Sequence, residues 1–221
     1  MKTSRLEAFS DGVLAIIITI MVLGLKSPHG HTLASLRDDT GTAFLTYLLS
    51  FVYVGIYWTN HHHMLQLTSR VTGGVLWANL VLLFCISLFP FTIGWVDDTN
   101  FAPTPVVTYG VDLLAAAVAY YILQNSIMRI DGDASPLRRA IGRDLKGKAS
   151  PAFYIVGILC AALVGPGRLG SWLAMACFVA VAVMWLVPDR RLERAIGARS
   201  ASAGSEPDDA TGLGEATAHP R

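Results

Sequence analysis

The sequence predicts an all-α membrane protein with six transmembrane helices. Of its 221 residues, 53% are hydrophobic and only 15% are charged, whereas about a quarter of a typical soluble domain is charged. The charges also lie between long stretches that carry almost none. A helix needs about 17 to 25 apolar residues to cross a hydrocarbon core of about 30 Å. The stretches that approach this length are residues 8–25, 42–58, 75–96, 106–127, 152–164 and 169–187.

Three of these segments carry local signals. The first resembles a secretory signal, but Glu7 and Asp11 interrupt it and no small-residue cleavage site follows, so we expect it to stay attached. Pro90 predicts a kink in the third segment. The fifth is short and ends at a Gly-Pro-Gly sequence, residues 165–167, which predicts a tight hairpin with the sixth.

The distribution of basic residues predicts the orientation. If the N-terminus is cytoplasmic, only Lys26, Arg37 and Arg168 among the 17 Lys and Arg residues lie outside. Cytoplasmic loops are rich in Lys and Arg, so both termini are predicted to be cytoplasmic. Residues 198–221 are rich in Ser, Ala, Gly, Asp and Glu, and we predict that this tail is disordered.

The long fourth loop has two interpretations. Ser135 and Pro136 look like the start of a helix, and Leu137, Ile141 and Leu145 recur every four residues among basic side chains. This pattern predicts a short helix on the anionic inner leaflet. A solvated basic loop fits the composition equally well.

Several classes of function are excluded by composition. A net charge of +1 argues against nucleic acid as a partner, because such proteins carry a large basic excess. The three cysteines show no CxxC spacing, and three consecutive histidines, residues 61–63, point about 100° apart on a helix and cannot all bind one ion. The spans hold no nucleophile paired with a base. We therefore expect no metal, no cofactor and no enzymatic activity.

Two intramembrane carboxylates are candidates for function, because ionisable groups are costly in a membrane. Asp112 lies in the fourth span. A structural hydrogen bond or a position in a water-filled outer vestibule explains a carboxylate there at least as well as a role in transport. Asp11 lies at the start of the first span, at the same predicted depth as the end of the second. We predict one helix junction between Asp11 and that end, whose polar groups are Trp58, Asn60, His61, His62 and His63.

One face of the first span is a candidate pore lining. At 100° per residue Gly12, Ile16, Thr19, Ile20 and Leu23 share one face, and Asp11 points about 140° away from Ile16. The same pattern fits ordinary helix packing, because selectivity by hydrophobic constriction leaves no distinctive sequence mark.

Two motifs carry a family resemblance. The first span begins with RxxxFSD, formed by Arg5, Phe9, Ser10 and Asp11, and the second ends with Trp58-Thr59-Asn60-His61-His62. With six spans, the chain resembles the bacterial branch of the transmembrane protein 175 family, the endolysosomal potassium channels of animals. The resemblance covers residues 1 to about 190. Animal members carry two six-helix repeats, whereas this chain has one.

The resemblance implies a potassium-selective leak-type channel of the bacterial plasma membrane, whose partners are potassium ions and membrane lipid. One copy of the lining helix cannot enclose a pathway, so a homotetramer is implied, with four first helices around the axis. Ile16 would form the hydrophobic constriction, Thr19 a polar layer and Leu23 an outer aliphatic ring, with Ile20 on the same face. No carbonyl filter in a re-entrant loop is expected.

The alternative is a proton-coupled secondary transporter that uses Asp11, Asp112 and the histidine cluster. An internal inverted repeat or a pair of broken helices would favour that alternative, and the sequence shows neither.

Overall fold

The computed structural model describes residues 3–141, 145–165 and 167–186, and all the regular secondary structure within these ranges is helical. Its α-helices are α1 (Thr3–Met21), α2 (Leu33–Gln66), α3 (Gly73–Ser87), α4 (Phe89–Asp98), α5 (Pro103–Asp131), α6 (Pro136–Ile141), α7 (Leu145–Leu163) and α8 (Leu169–Leu186). Short 3-10 turns follow α1 and α5. The predicted all-α class is confirmed. The tail predicted to be disordered, residues 198–221, lies outside the described residues.

Several helices are long and apolar enough to cross a membrane. Within the described residues these are 3–24, 33–66, 73–98, 103–131 and 169–186. The predicted span 152–164 lies in α7, which is not among them and carries Lys146 and Lys148 in its first turn. With 34 residues α2 is about 50 Å long, so it extends beyond the predicted span 42–58 at both ends.

The chain breaks where Pro90 was expected to kink it. Residues 73–98 form α3 and α4 with Leu88 between them, because Pro90 cannot donate a backbone hydrogen bond. The Leu88 N–H donates to the Cys85 carbonyl at 3.1 Å, and the Thr92 N–H donates to the Leu88 carbonyl at 2.9 Å. After the break, the Thr92 side chain on α4 faces α5.

Helix α5 is the centre of the bundle and packs against α3, α4, α7 and α8. Small residues allow the closest approaches: Gly110 on α5 and Gly157 on α7 both lie against the Phe178 ring, and Gly170 on α8 lies against the Cys160 carbonyl. A Cβ at any of the three would clash. By contrast, α1 lies at the edge of the bundle, where it packs on α2, α3 and the neighbouring part of α4.

The segment after α5 contains a short helix. The Arg138 N–H donates to the Ser135 hydroxyl at 3.4 Å, as expected for a helix N-cap, and Leu137 is buried. The predicted continuation from Ile141 to Leu145 falls on residues 142–144, which lie outside the described part of the chain. The location of this helix on a lipid surface stays a prediction.

Candidate functional site

Helix α1 has two faces with opposite surroundings. Leu6, Ser10, Leu14, Ile17 and Met21 recur every three or four residues and are buried against the bundle. The other face is open in the single chain: Ile16 is 58% exposed, Ile20 is 50% exposed and Leu23 is 80% exposed. Gly12 and Thr19 on the same face are exposed as well.

The open face is aliphatic except for one hydroxyl. Thr19 Oγ1 donates to the Ile16 carbonyl at 2.9 Å, so its proton is taken up by its own helix. Its oxygen keeps lone pairs that point away from the helix. The open face of α1 therefore offers acceptor oxygen at Thr19, with aliphatic side chains at Ile16 and Leu23 on either side.

The buried face of α1 is attached by a chain of three polar side chains. The Asn79 amide N–H donates to Ser10 Oγ at 3.0 Å, and the Asn79 carbonyl oxygen lies 2.7 Å from His61 Nε2. Because that oxygen can only accept, His61 Nε2 carries the proton. Ser10 Oγ in turn donates to the Leu6 carbonyl at 2.9 Å. All three side chains are at least 99% buried, so α1, α2 and α3 meet at a dry hydrogen-bonded point.

Asn79 is not among the site residues predicted from the sequence, although the sequence contains a signal for it. Asn79 is the only amide in the apolar stretch Val75–Val96. An amide in such a stretch needs a partner on another helix, because the membrane offers none. The residue type therefore indicates that Asn79 bonds to another helix. Which residues it bonds depends on how α3 lies relative to α1 and α2.

A second, more exposed set of contacts joins the start of α1 to the end of α2. The Trp58 indole N–H donates to Asp11 Oδ1 at 3.0 Å, and the Trp58 ring stacks on His62 at 6.1 Å between centroids. His62 Nδ1 lies 2.8 Å from Glu7 Oε1 without the alignment of a hydrogen bond. Gln66 Nε2 lies 2.8 Å from His62 Nε2, where its amide N–H can donate. Both Asp11 and Trp58 keep part of their surface exposed.

Other residues of the two motifs lie apart from these contacts. Asn60 Nδ2 donates to the Ile56 carbonyl of its own helix at 2.8 Å, and the Tyr120 hydroxyl donates to the Asn60 carbonyl at 3.5 Å. Phe9 is exposed, as is Arg5, for which the described part of the chain offers no hydrogen bond or ion pair. His61 and His62 face different partners, Asn79 and Glu7, so the two imidazoles do not converge.

Asp112 belongs to a different contact. Thr92 Oγ1 donates to Asp112 Oδ2 at 3.0 Å, and both side chains are buried. This hydrogen bond ties α5 to α4 just after the break at Leu88. The structure thus gives Asp112 a hydrogen-bonding role and does not bring it to the histidines.

The other end of α1 is held by an ion pair on the surface. Lys26 Nζ lies 2.9 Å from Asp98 Oδ1 at the end of α4. The hydrogen bond and the charge of Asp98 raise the pKa of Lys26 above its ordinary value. Both side chains are mostly exposed, so the pair contributes little to the stability of the fold.

The fold and the site define a class of protein: an all-helical, multi-pass membrane protein whose first helix is attached on one face and open on the other. The family model described as "Endosomal/lysosomal potassium channel TMEM175" matches residues 5–90, which include both motifs. "Potassium channel HX13_20290" of Chryseobacterium sp. is 47% identical over 196 residues, which cover 89% of this chain and 98% of that protein. The chain belongs to the TMEM175 family, and the resemblance seen in the sequence is confirmed.

Two more distant similarities agree with this membership. "Potassium channel B446_29190" of Streptomyces collinus is 29% identical over 129 residues, which cover 55% of this chain and 63% of that protein. The crystal structure of a lysosomal potassium-selective channel TMEM175 homolog from Chamaesiphon minutus matches with a TM-score of 0.69 at 24% identity. That match covers 85% of this chain and 97% of the solved chain, and it shows that the two share a fold.

Proposed function

We propose that this chain is the subunit of a potassium-selective leak channel in the bacterial plasma membrane. The observation that carries the proposal is the division of α1 into a buried face and an open aliphatic face. Two relatives are named potassium channels, and neither name indicates an enzyme. A helix attached on one side and open on the other is suited to line a pathway between subunits.

The proposed assembly is a homotetramer. One chain supplies one helix with this open face, and a single helix cannot enclose an aqueous path. Four copies of α1 around an axis place four equivalent open faces toward each other, and closed rotational symmetry is the usual arrangement of identical subunits. The open face is then covered by neighbouring copies and by the ions and water in the pathway.

Selectivity in this proposal comes from dehydration at an uncharged ring. Four Ile16 side chains on the axis narrow the path, and an ion passes only after losing part of its water. Potassium holds its water less tightly than sodium, so the same constriction favours potassium. Thr19 adds a ring of acceptor oxygen one turn further along, and Ile20 and Leu23 continue the lining.

The polar junction sets the rotation of α1 in this proposal. A rotation of α1 by one residue turns its side chains by about 100° and would move Ile16 off the axis. The buried bonds from Asn79 to Ser10 and His61 resist such a rotation near the start of the helix. The Trp58 bond to Asp11 adds a second attachment at the same depth.

The proposed orientation has both termini in the cytoplasm. The basis is the small number of basic residues, Lys26, Arg37 and Arg168, on the opposite side. In that orientation the polar junction lies at the cytoplasmic end of the pathway, and Leu23 lies toward the outside.

Purified protein in liposomes tests the proposal. A potassium gradient should drive a flux through each channel that is faster than the turnover of any carrier and that keeps rising as the potassium concentration is raised. Ile16→Ala and Ile16→Asn should raise the conductance and bring the sodium and potassium permeabilities closer together. Ile18→Ala is the matched control, because Ile18 lies two residues along and about 160° around the helix. A saturating, proton-dependent uptake would instead support the transporter that uses Asp11 and Asp112.

Bi-ionic reversal potentials decide the role of α1. If the Ile16→Asn protein keeps the wild-type conductance and the wild-type selectivity, then α1 does not line the pathway at this position. The proposal of a pore formed by α1 would then be abandoned, whatever the flux of the wild-type protein.

A further inference from the structure

A cavity of about 50 Å³ lies between α2, α5, α7 and α8, outside the candidate pathway. No residue of α1 lines it. The lining residues Asn60, Gln124, Ser150 and Trp185 lie near the ends of their helices, so all four helices meet there at one end of the bundle. This is the end that carries the basic loop with Lys146 and Lys148. In the proposed orientation the cavity lies at the cytoplasmic interface of the membrane.

The walls of the cavity are aromatic and its rim faces the outside of the bundle. Tyr121 on the rim is 57% exposed, whereas Tyr53, Tyr57 and Tyr154 are buried. Tyrosine and tryptophan are the residues that membrane proteins place at the level of lipid head groups. The aromatic side chains that line the cavity are Tyr53, Tyr57, Tyr120, Tyr121, Tyr154 and Trp185.

Two mostly buried residues line this cavity with polar groups that have no hydrogen bond to any described part of the chain. The Tyr57 side chain is buried to 9% exposure and Gln124 to 6%, and both line the cavity. Other polar groups in the wall are satisfied: the Tyr53 hydroxyl donates to the Phe178 carbonyl at 2.6 Å, and the Trp185 N–H donates to Ser150 Oγ at 2.8 Å. Neither polar group is sealed from water, so a ligand that accepts hydrogen bonds can take the place of water at Tyr57 and Gln124.

The charge around the cavity selects the kind of acceptor. Within the described part of the chain, the residues that line the cavity include no Asp or Glu. The Lys146 ammonium lies 5.9 Å from the centroid of the Trp185 ring, which is itself part of the wall. A cationic ligand would find no carboxylate among these residues, and α7 begins beside the cavity with two basic residues, Lys146 and Lys148. An anionic oxygen ligand is favoured, as in basic pockets between helices that bind lipid head groups.

We propose that this cavity binds the head-group region of an anionic glycerophospholipid, one molecule per chain. The phosphate or ester oxygens accept hydrogen bonds from the Tyr57 hydroxyl and the Gln124 amide. The acyl chains leave past Tyr121 into the bilayer. The site is independent of the proposed pore, because none of its residues lies on α1.

The test uses delipidated protein in detergent, titrated with phosphatidylglycerol and followed by native mass spectrometry. The wild-type protein should bind one lipid per chain. Tyr57→Phe and Gln124→Leu should each weaken binding about tenfold, the fold-change for one hydrogen bond to a charged acceptor. Tyr57→Phe keeps the ring, which packs 6.1 Å from the Phe89 ring, and an unchanged size-exclusion profile verifies folding.

Two matched controls make the same chemical changes outside the cavity. Tyr47→Phe removes a hydroxyl from the same helix, and Asn125→Leu removes the neighbouring amide, which donates to the Tyr121 carbonyl at 2.8 Å. Both should bind phosphatidylglycerol as the wild type does. Phosphatidylcholine should bind more weakly, and inorganic phosphate at equal concentration should not displace the lipid.

Four results would overturn the proposal. The first is that no lipid is retained per chain, which would leave water as the occupant. The second is wild-type affinity in both cavity variants, and the third is equal affinity for phosphatidylcholine. The fourth is displacement of the lipid by inorganic phosphate, which would make a soluble anion the ligand.

Discussion

Replacing Asn79 with leucine tests how firmly the polar junction holds α1. The substitution keeps the approximate size of the side chain but removes the amide that bonds Ser10 at 3.0 Å and His61 at 2.7 Å. The two partners respond differently. Ser10 still donates to the Leu6 carbonyl and loses only a bond that it accepts. His61 loses its bond at Nε2, and its buried Nδ1 already has no hydrogen-bond partner in the described structure.

The expected cost is therefore concentrated at His61. A stranded buried donor costs about 1 to 3 kcal/mol. For a protein of this size 1 kcal/mol corresponds to about 2 to 4 °C in melting temperature, so we expect a decrease of about 4 to 8 °C for a cost of about 2 kcal/mol. The measurement is thermal unfolding of the purified protein in detergent, followed by size exclusion.

A double-mutant cycle separates this bond from general damage. His61→Phe combined with Asn79→Leu replaces both partners by apolar groups, so the double variant should be destabilised by less than the sum of the two single changes. The expected difference is about 0.5 to 1.5 kcal/mol, in the range found for hydrogen bonds between membrane helices. Asn125→Leu, an amide on a less buried face of α5, should change stability by about 0.5 kcal/mol or less.

Additive effects in this cycle would refute the bond between Asn79 and His61 as a stabilising contact. A wild-type melting temperature for Asn79→Leu would refute the wider argument that buried polar partners hold α1, and the cause of its orientation would then be apolar packing alone.

Two other contacts and the distribution of basic residues can be tested as well. Asp11→Ala should lower the free energy of unfolding by about 0.5 to 1.5 kcal/mol, because the hydrogen bond from Trp58 is partly exposed, and Asp11→Asn should lower it by less because it keeps an acceptor oxygen. If Asp11→Ala assembles normally and loses only pH-dependent uptake, the transporter is favoured. Thr92→Val should cost about 1 to 3 kcal/mol in thermal unfolding by leaving the Asp112 carboxyl without its donor, and an unchanged melting temperature would show that water replaces the hydroxyl. Reporter fusions at Arg221 and in the loop before α2, residues 25–32, should score cytoplasmic and external respectively, and an external C-terminus would contradict the orientation and the count of six spans.

Much of the fold could be predicted because membrane helices obey a length rule and a period. Apolar length located the long helices, and Pro90 marked the break between α3 and α4, because the missing backbone N–H acts locally. The period of 3.6 residues placed Ile16 and Leu23 on one face of α1 and Asp11 on another. These features depend on neighbours along the chain, which a sequence shows directly.

Family membership could also be predicted from the sequence, because RxxxFSD and the segment from Trp58 to His62 are each short and continuous. It did not separate the roles within them. Asn60 was grouped with the junction by position, but its amide bonds to its own helix at Ile56, since the rotation of α2 turns it away from α1.

The tertiary structure alone decided which polar groups meet and which faces stay open. Asn79 reaches Ser10 and His61 only because the folded chain brings α3 beside the start of α1 and the end of α2. Asp112 reaches Thr92 only because α4 packs against α5. The open face of α1 likewise follows from its place at the edge of the bundle. A periodic pattern tells which residues share a face, but what that face meets depends on contacts between residues far apart in the chain, and those arise only when the helices pack.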